Sequence, residues 1–228
     1  MKKVIAFDAD DTLWVNEPLF RKAEQDFCEL MTQYLDQETC AQRLFDFEMQ
    51  NLPLYGYGIK PFTLSLTEAA IELSNGAVTN DTLLQIIDIG KTMLKAPVVV
   101  LDGVEKVLVM LSRKHNINLV VATKGDLLDQ ERKLEKSGLA KYFHHIEVMS
   151  GKKPANYQKL LKHLDIEASQ FIMIGNSVKS DILPVLEIGG TAFHIPFHTT
   201  WEHEVVSEPV THANFIELQS VLELEAHL

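Results

Sequence analysis

Two carboxylates and a hydroxyl follow the first apolar run of this 228-residue sequence: Asp8, Asp10 and Thr12. Residues 4–7, directly before them, have the composition of a buried parallel strand, which would place Asp8 at its carboxyl end and the other two on the turn beyond. Carboxylates this close together repel one another. The commonest reason for them to stay ionised is a hard cation such as Mg²⁺, which prefers carboxylate and carbonyl oxygen. The alternative is an acidic turn that caps a helix, because Asp and Thr are good N-cap residues.

Further polar side chains follow three later apolar runs, which we interpret as strands. They are Thr123 and Lys124 after residues 117–122, Lys152 and Lys153 after residues 145–149, and Asn176 and Asp181 after residues 171–174. Ligands of an open parallel sheet bind beyond the carboxyl ends of its strands, so these side chains and Asp8 are expected at one site. Phosphoryl transfer needs this set: a metal, hydroxyl or amide groups that hold phosphate oxygens, and a cation that neutralises charge.

The elements that would position these residues alternate between helices and short strands from Gly103 onward. Helices are predicted at 104–114, 126–137, 154–164 and 180–188, and a last strand at 191–195. This alternation predicts βαβ units, and therefore an α/β fold with a doubly wound, Rossmann-like parallel sheet covered on both faces. The residues from 198 onward look irregular until 215–224, where the spacing of apolar residues suggests a closing helix.

A long stretch between the first strand and this series is predicted to be almost entirely helical. Apolar residues recur at spacings of three and four from residue 19 to 34 and again in later segments. Residues 51–62 break the pattern with two prolines and two glycines. The stretch is too large to be a loop. We therefore predict a core domain of residues 1–15 and 98–228, with a helical domain of residues 16–97 inserted into it.

Composition restricts the function classes. The formal charge of −11 argues against nucleic acid as a partner, because binding to its backbone needs a basic surface. The apolar runs are too short to span a bilayer, and no secretory apolar segment is recognisable near the first residue. Cys28 and Cys40 have no metal-type spacing and suit free thiols in a reducing compartment. We expect a cytoplasmic protein with no membrane partner, while the sequence indicates no oligomeric state.

Four motifs in this order resemble those of the haloacid dehalogenase superfamily of hydrolases. They are Asp8-x-Asp10-x-Thr12, Thr123, Lys152-x-Pro154 and Gly175-Asn176-Ser177-x-x-x-Asp181. The helical insertion also occupies the position of that family's first type of cap domain, so the resemblance covers the whole chain. Each motif alone would be weak, but four on successive strand ends form a specific pattern.

The resemblance implies a Mg²⁺-dependent phosphatase that hydrolyses a phosphate monoester of a small soluble metabolite. Asp8 would be the nucleophile that forms an aspartyl-phosphate, and Asp10 would protonate the leaving alcohol and later deprotonate water. Thr123 would donate to the phosphoryl group, and Lys152 would neutralise it together with Asp8. The implied metal ligands are Asp8, Asp10, Asn176 and Asp181, and the implied substrate contacts of the core are Thr123, Lys124 and Lys153.

Two departures from the family pattern leave alternatives open. The last motif usually has Asp after its glycine, whereas this chain has Asn176, whose amide oxygen is a weaker ligand for Mg²⁺ than a carboxylate. Asp181 would then carry more of the metal's charge. Pro154 and Tyr157 match the family spacing best if Lys152 is catalytic, but Lys153 directly precedes the proline, as it does in many relatives.

A Tyr- and Gly-containing segment of the helical insertion is a second candidate for substrate contacts. Tyr55, Tyr57 and Lys60 supply two aromatic rings and a cation, with two flexible glycines between them, which suits the binding of a phosphorylated metabolite. A turn between helices with aromatic packing explains the same residues. His194, His198 and His203 are spaced loosely, and we interpret them as ordinary histidines and not as a second metal site.

Asp10 separates the possible reactions. Family members that resemble dehalogenases lack a second acid at this position, so its presence implies phosphate chemistry. A sugar phosphomutase shares these motifs and stays an alternative. A non-enzymatic binding or regulatory relative is the other, and Asn176 is the only residue that favours it.

Overall fold

The computed structural model describes residues 3–228 and contains a six-stranded sheet in which every neighbouring pair is parallel. The strands are β1 (Lys3–Phe7), β2 (Ile117–Lys124), β3 (His145–Met149), β4 (Phe171–Gly175), β5 (Thr191–His194) and β6 (Phe215–Glu217). Their order across the sheet is β3-β2-β1-β4-β5-β6. The helices are α1 (Glu17–Leu30), α2 (Gln37–Tyr55), α3 (Ile59–Leu73), α4 (Asn80–Lys95), α5 (Val104–Ser112), α6 (Leu127–Lys136), α7 (Pro154–Leu164) and α8 (Leu183–Glu187). The predicted doubly wound α/β fold is confirmed.

The central strand β1 is buried on both faces. Ile5 and Phe7 belong to a core that contains apolar side chains of α5 and α6, whereas Val4 and Ala6 belong to a core with side chains of α7 and α8. Successive side chains of a strand point to opposite faces of its sheet. This double burial explains why residues 4–7 are a continuous apolar run and not an alternating one.

The chain divides into two compact units. One contains the residues up to Glu17 together with Val98–Leu228, and the other is Pro18–Pro97. The second unit has a hydrophobic core of its own, which includes Cys28 and Cys40 as buried free thiols. None of the helices within residues 3–228 has both the length and the apolar character needed to cross a membrane. Residues 1 and 2, which the predicted core domain includes, lie outside the described part of the chain.

The predicted break at residues 51–62 is wrong for most of its length. Helix α2 continues to Tyr55 with Pro53 inside it, and α3 begins at Ile59 with Pro61 in its first turn. A proline in the first turn of a helix displaces no hydrogen bond, because the first four N–H groups have no partner within the helix. Pro53 lies two residues from the end of its helix. The true break is therefore the three residues from Gly56 to Gly58.

The predicted closing helix at residues 215–224 is also wrong. Phe215–Glu217 forms the edge strand β6 and pairs with β5, and Val221–Ala226 forms turns of 3₁₀ helix. The helical spacing of the apolar residues is real, but the open edge of β5 offers unpaired backbone groups that bind a strand. Tertiary context thus outweighs the local pattern.

Candidate active site

Strands β1, β2 and β4 end at the same edge of the sheet. Phe7 pairs with Val121 of β2 and with Ile174 of β4, so the residues that follow these strands lie side by side. The backbone N–H of Asp8 donates to the carbonyl oxygen of Ile174 at 2.8 Å, which fixes Asp8 at the end of β1. Asp8 is buried. The expected site at the carboxyl edge of the sheet therefore has Asp8 near its centre.

Lys152 lies between two carboxyl groups. Its Nζ contacts Oδ1 of Asp8 and lies 2.6 Å from Oδ1 of Asp181. All three side chains are buried, whereas Lys153 is exposed at the start of α7. The lysine that meets Asp8 is therefore Lys152.

The charges of this group do not cancel. Burial raises the pKa of Asp8 to about 7, although the Lys152 ammonium beside it acts in the opposite direction. Burial lowers the pKa of Lys152, but the charges of Asp181 and Asp8 outweigh it and hold this pKa above its ordinary range. One ammonium with two carboxyl groups leaves a negative charge uncompensated when both are ionised. A bound cation would stabilise the ionised form of Asp8.

Asp181 lies on a turn of π-helix, Val178–Ile182, that begins three residues after the last residue of β4. Its Oδ2 accepts a hydrogen bond from the backbone N–H of Ser177 at 3.1 Å. A Cβ atom on Gly175 would lie only 2.3 Å from that same oxygen, so any residue larger than glycine would displace the carboxylate. The glycine of the last motif therefore has a steric reason, and π-helical turns are frequent at functional sites.

A second group of oxygen atoms meets at the other oxygen of Asp8. One terminal atom of the Asn176 amide lies 3.2 Å from Oδ2 of Asp8 and 3.3 Å from the carbonyl oxygen of Asp10. With the amide nitrogen in that place, Asn176 donates to both atoms. With the amide oxygen there, it faces two further oxygens, an arrangement that a hard cation stabilises. The residues present therefore fit Mg²⁺.

The side-chain carboxylate of Asp10 and the backbone carbonyl oxygen of the same residue have different partners. It accepts hydrogen bonds from Lys133 Nζ at 2.6 Å, Gln130 Nε2 at 2.8 Å and Trp14 Nε1 at 2.8 Å. Burial alone would raise the pKa of Asp10, but the Lys133 ammonium and these hydrogen bonds lower it below its ordinary value. Asp10 is therefore held as a carboxylate.

The sequence analysis did not foresee Lys133 and Gln130. They lie on one face of α6, three residues apart, and α6 begins just after the strand end that carries Thr123. A lysine and a glutamine three residues apart share a helix face, but such pairs are common on solvated faces, so this spacing alone does not indicate a contact with Asp10. Lys133 also donates to Oδ1 of Asn16 at 3.1 Å, so it ties together two segments of the β1–α1 connection.

Lys124 belongs to a hydrogen-bonded network of side chains and not to an open cationic surface. Its Nζ lies 2.6 Å from Oε1 of Glu204 and 3.0 Å from the hydroxyl of Ser180. Burial raises the pKa of Glu204, but Lys124 and two serine hydroxyls lower it more strongly, to about 2. Glu204 comes from a short turn in the irregular C-terminal segment, where the sequence has no signal for it. The predicted substrate contact of Lys124 stays a prediction.

The two predicted threonines hydrogen-bond to protein groups at the strand ends. Thr12 Oγ1 lies 3.2 Å from the terminal amide atom of Asn176, which links the turn after β1 to the turn after β4. Thr123 is buried, and its hydroxyl donates to the carbonyl oxygen of Lys124 at 3.1 Å.

Tyr55, Tyr57 and Lys60 belong to the second unit, around the turn between α2 and α3. Tyr55 is exposed, and its hydroxyl donates to Oε1 of Glu68 at 2.5 Å. A role of these three residues in substrate binding stays a prediction.

Comparisons with known proteins identify the family. A family model described as a haloacid dehalogenase-like hydrolase matches residues 2–189. The chain belongs to this family. None of the curated proteins compared with this hydrolase matches its sequence.

Solved structures of other family members share the fold. A haloacid dehalogenase-like family hydrolase from Xanthomonas campestris is 38% identical, with a TM-score of 0.87 over 99% of this chain and 90% of that chain. A phosphatase from Thermococcus onnurineus is 20% identical, with a TM-score of 0.65 over 100% of this chain and 97% of that one. A 2-haloacid dehalogenase from Pseudomonas syringae pv. Tomato DC3000 is also 20% identical, with a TM-score of 0.65 over 99% and 97%. Relatives this similar in shape thus catalyse different reactions, and the choice between these depends on the site residues.

Proposed function

We propose that this hydrolase is a Mg²⁺-dependent phosphatase that hydrolyses a phosphate monoester of a small metabolite through an aspartyl-phosphate on Asp8. The proposal depends on one observation: the two carboxylate oxygens of Asp8 face different groups. Oδ1 contacts Lys152, and Oδ2 faces the terminal amide atom of Asn176, which also lies 3.3 Å from the carbonyl oxygen of Asp10. A carboxylate that attacks phosphorus beside a metal needs this division, with one oxygen for the metal and the other for the phosphoryl group.

The atoms that would hold Mg²⁺ are Asp8 Oδ2, the Asp10 carbonyl oxygen and the Asn176 amide oxygen. When bound, the ion would neutralise part of the charge on the phosphoryl group and on Asp8. Asp181, which faces Lys152 and the Ser177 backbone, would contribute its charge to the site. A direct bond from Asp181 to the ion stays a prediction.

The reaction has two displacements. Asp8 Oδ1 attacks phosphorus, the Asp8–phosphorus bond forms, and the bond from phosphorus to the alcohol oxygen breaks while Asp10 gives that oxygen a proton. Asp10 then takes a proton from water as the water oxygen attacks phosphorus, which releases inorganic phosphate and restores Asp8. Lys152 and Thr123 donate hydrogen bonds to the phosphoryl oxygens, where charge develops.

The partners of Asp10 suit one half of this cycle better than the other. Lys133, Gln130 and Trp14 hold the side chain ionised, which is the form that accepts a proton from water. For the first half, Asp10 must gain a proton, and its contact with Lys133 must weaken. Lys133 is therefore a positioning residue that sets the pKa of the acid and base.

Lys133→Met is expected to move the basic side of the pH profile of kcat/KM to higher pH by about one unit or more, the usual effect of one adjacent charge. The sign follows from Lys133, which lowers the pKa of Asp10. Without this ammonium Asp10 keeps its proton to higher pH, so the acid form that the first displacement needs persists further as the pH rises. Lys136→Met, on an exposed part of the same helix, should leave the profile unchanged. A pH profile that is the same in both variants would show that Lys133 has no such role.

A screen of phosphorylated metabolites with and without Mg²⁺ tests the proposed function. Release of inorganic phosphate from at least one small monoester, dependent on Mg²⁺, is the expected result. Chloride release from a 2-chloroalkanoate without a metal would assign a dehalogenase instead. Conversion of a sugar phosphate to its isomer without phosphate release would assign a mutase. No turnover in any arm, with the protein folded, would favour the non-enzymatic alternative.

Substitutions of Asn176 test the metal ligands by calorimetry with Mg²⁺ alone. Asn176→Ala removes one ligand oxygen and should weaken Mg²⁺ binding at least about tenfold, the scale of losing one part of a metal shell. Asn176→Asp adds a charge and should tighten the binding, unless repulsion from Asp8 outweighs the gain. Asp181→Asn in the same experiment reports whether Asp181 acts through the ion or through Lys152. Unchanged affinity in all three variants would contradict the proposed metal shell.

A further inference from the structure

Two histidines and a glutamate meet at the edge strand β3, at the end of the strand opposite to the Lys152 loop. His145 Nε2 lies 2.9 Å from Oε2 of Glu147, and His163 Nδ1 lies 3.4 Å from the same oxygen. The ligand atoms of all three side chains lie within 4.8 Å of one another. Within residues 3–228, no other group of three or more His, Cys, Asp or Glu side chains meets this criterion.

The fold brings these residues together for simple reasons. His145 and Glu147 are two apart on a strand, so their side chains leave the same face of the sheet. His163 lies in the last turn of α7, the helix that follows β3 along the chain. His144, by contrast, points away from this group, because its Nδ1 accepts a hydrogen bond from the backbone of Leu119. The group thus belongs to a single strand-and-helix unit of the core.

The chemistry of the group selects a class of ion. Two imidazole nitrogens and one carboxylate oxygen suit Zn²⁺ and similar divalent transition metals, whereas Mg²⁺ prefers oxygen ligands alone. Metal–ligand distances near 2.1 Å place neighbouring ligands of a tetrahedral Zn²⁺ ion about 3.4 Å apart. The distance from His163 to Glu147 has this value, and the shorter one from His145 to Glu147 can open by rotation of these partly exposed side chains.

We propose that His145, Glu147 and His163 form a binding site for a divalent transition-metal ion of the Zn²⁺ class. Three protein ligands leave a fourth position for water. The side chains are 33%, 28% and 64% exposed, so an ion reaches them from solvent without a change of fold. This site is independent of the proposed phosphatase activity and of the proposed Mg²⁺ ligands, which follow β1 and β4.

The position of the site gives it a structural consequence. The ion joins the start of β3 to the end of α7, and the loop between these elements carries Lys152. Because the ion binds the folded chain and not the unfolded one, it stabilises this unit in proportion to its affinity and concentration. The strand that the ion would stabilise, β3, is an edge strand, because it has a neighbour, β2, on one side only.

Titration of the whole protein with Co²⁺ and Zn²⁺ in millimolar Mg²⁺ tests this proposal, since Mg²⁺ competes for the oxygen ligands of the active site. Co²⁺ should give the visible absorption of a four-coordinate site at one equivalent, and Zn²⁺ should abolish that absorption. Glu147→Gln and His163→Ala should each weaken Zn²⁺ binding at least about tenfold. His115→Ala removes an exposed histidine elsewhere in the same compact unit, and this variant should bind Zn²⁺ as the original protein does. The melting temperature should rise with Zn²⁺ in the original protein and in the His115 variant alone.

Three results would overturn the proposal. One is the absence of Zn²⁺ binding at one equivalent in the original protein. Another is a His163→Ala variant that is folded by circular dichroism and binds Zn²⁺ with unchanged affinity. The third is a loss of Zn²⁺ binding in Asp8→Asn but not in Glu147→Gln, because the ion would then be bound at the active site.

Discussion

Asp8→Asn is expected to reduce turnover of the best phosphate ester to below about one per cent, the scale of removing a covalent nucleophile. The amide nitrogen and oxygen are poor nucleophiles, and the substitution also removes a charged ligand from the proposed metal site. The shape of the side chain is nearly unchanged, and Lys152 keeps its contact with Asp181, so we expect the fold to persist. Steady-state kinetics of the purified variant, with Mg²⁺ in excess, measure the effect.

An exposed acid provides the matched control for this variant. Asp102 lies outside the site on the surface of the same unit, and Asp102→Asn should keep full activity. Circular dichroism should give the same spectrum for both variants and for the original protein. Turnover above about one per cent in a folded Asp8→Asn protein would rule out Asp8 as the nucleophile.

Lys152→Met is expected to reduce kcat by about a hundredfold or more, the scale of losing one donor to a charged transition state. Lys152 is the cation that contacts Asp8, and methionine keeps much of the length of its side chain without the charge. Lys153→Met should change kcat only a few-fold, because Lys153 is exposed at the start of α7. This pair separates the two lysines that the family pattern leaves ambiguous.

The Lys152 variant also leaves Asp8 and Asp181 buried without their common cation, which lowers stability unless a carboxyl group takes up a proton. Thermal unfolding should therefore show a larger loss at pH 8 than at pH 5 for Lys152→Met, and no such difference for Lys153→Met. Equal and small losses of kcat in both variants would mean that neither lysine supplies the positive charge at the phosphoryl group. That result would contradict the proposed mechanism.

The strands and their carboxyl ends could be predicted from the sequence because burial on both faces leaves a simple pattern. Residues 4–7 and 171–174 are continuous apolar runs, and each is followed at once by the polar residues of a motif. The register of β1 with β2 and β4 then brings the motifs together without further information. The loop that carries Lys152 and Lys153 is placed at this edge by the same rule, since it begins where β3 ends, but only the structure shows that Lys152 is the lysine that contacts Asp8.

The contacts that determine the state of Asp10 could not be predicted in this way. Lys133 reaches Asp10 from a helix more than one hundred residues later, and helical lysines are usually solvated. Glu204 lies in a segment without periodicity, so nothing local indicates that its carboxylate is buried against Lys124. The prediction for the residues of β6 was wrong for a different reason. Their apolar spacing is helical, and only pairing with the open edge of β5 makes them a strand.

The metal-ligand group on β3 shows the same difference between local and tertiary information. His145 and Glu147 are adjacent on one strand face, but His163 joins them only through the packing of α7. The sequence analysis weighed His194, His198 and His203 instead, because these follow one another in an irregular segment. In the structure His194 lies between the Asn176 carbonyl oxygen and Glu217, as an ordinary packed histidine.

A crystal structure with Mg²⁺ and beryllofluoride, a mimic of a phosphoryl group, tests the central claim most directly because it needs no knowledge of the substrate. The proposal predicts beryllium bonded to Oδ1 of Asp8, with the fluorides in contact with Lys152 and Thr123. Mg²⁺ should lie on Oδ2 of Asp8, beside Asn176 and the carbonyl oxygen of Asp10. Beryllofluoride on another residue, or no binding at Asp8 at saturating concentrations, would contradict the assignment of Asp8 as the phosphoryl acceptor.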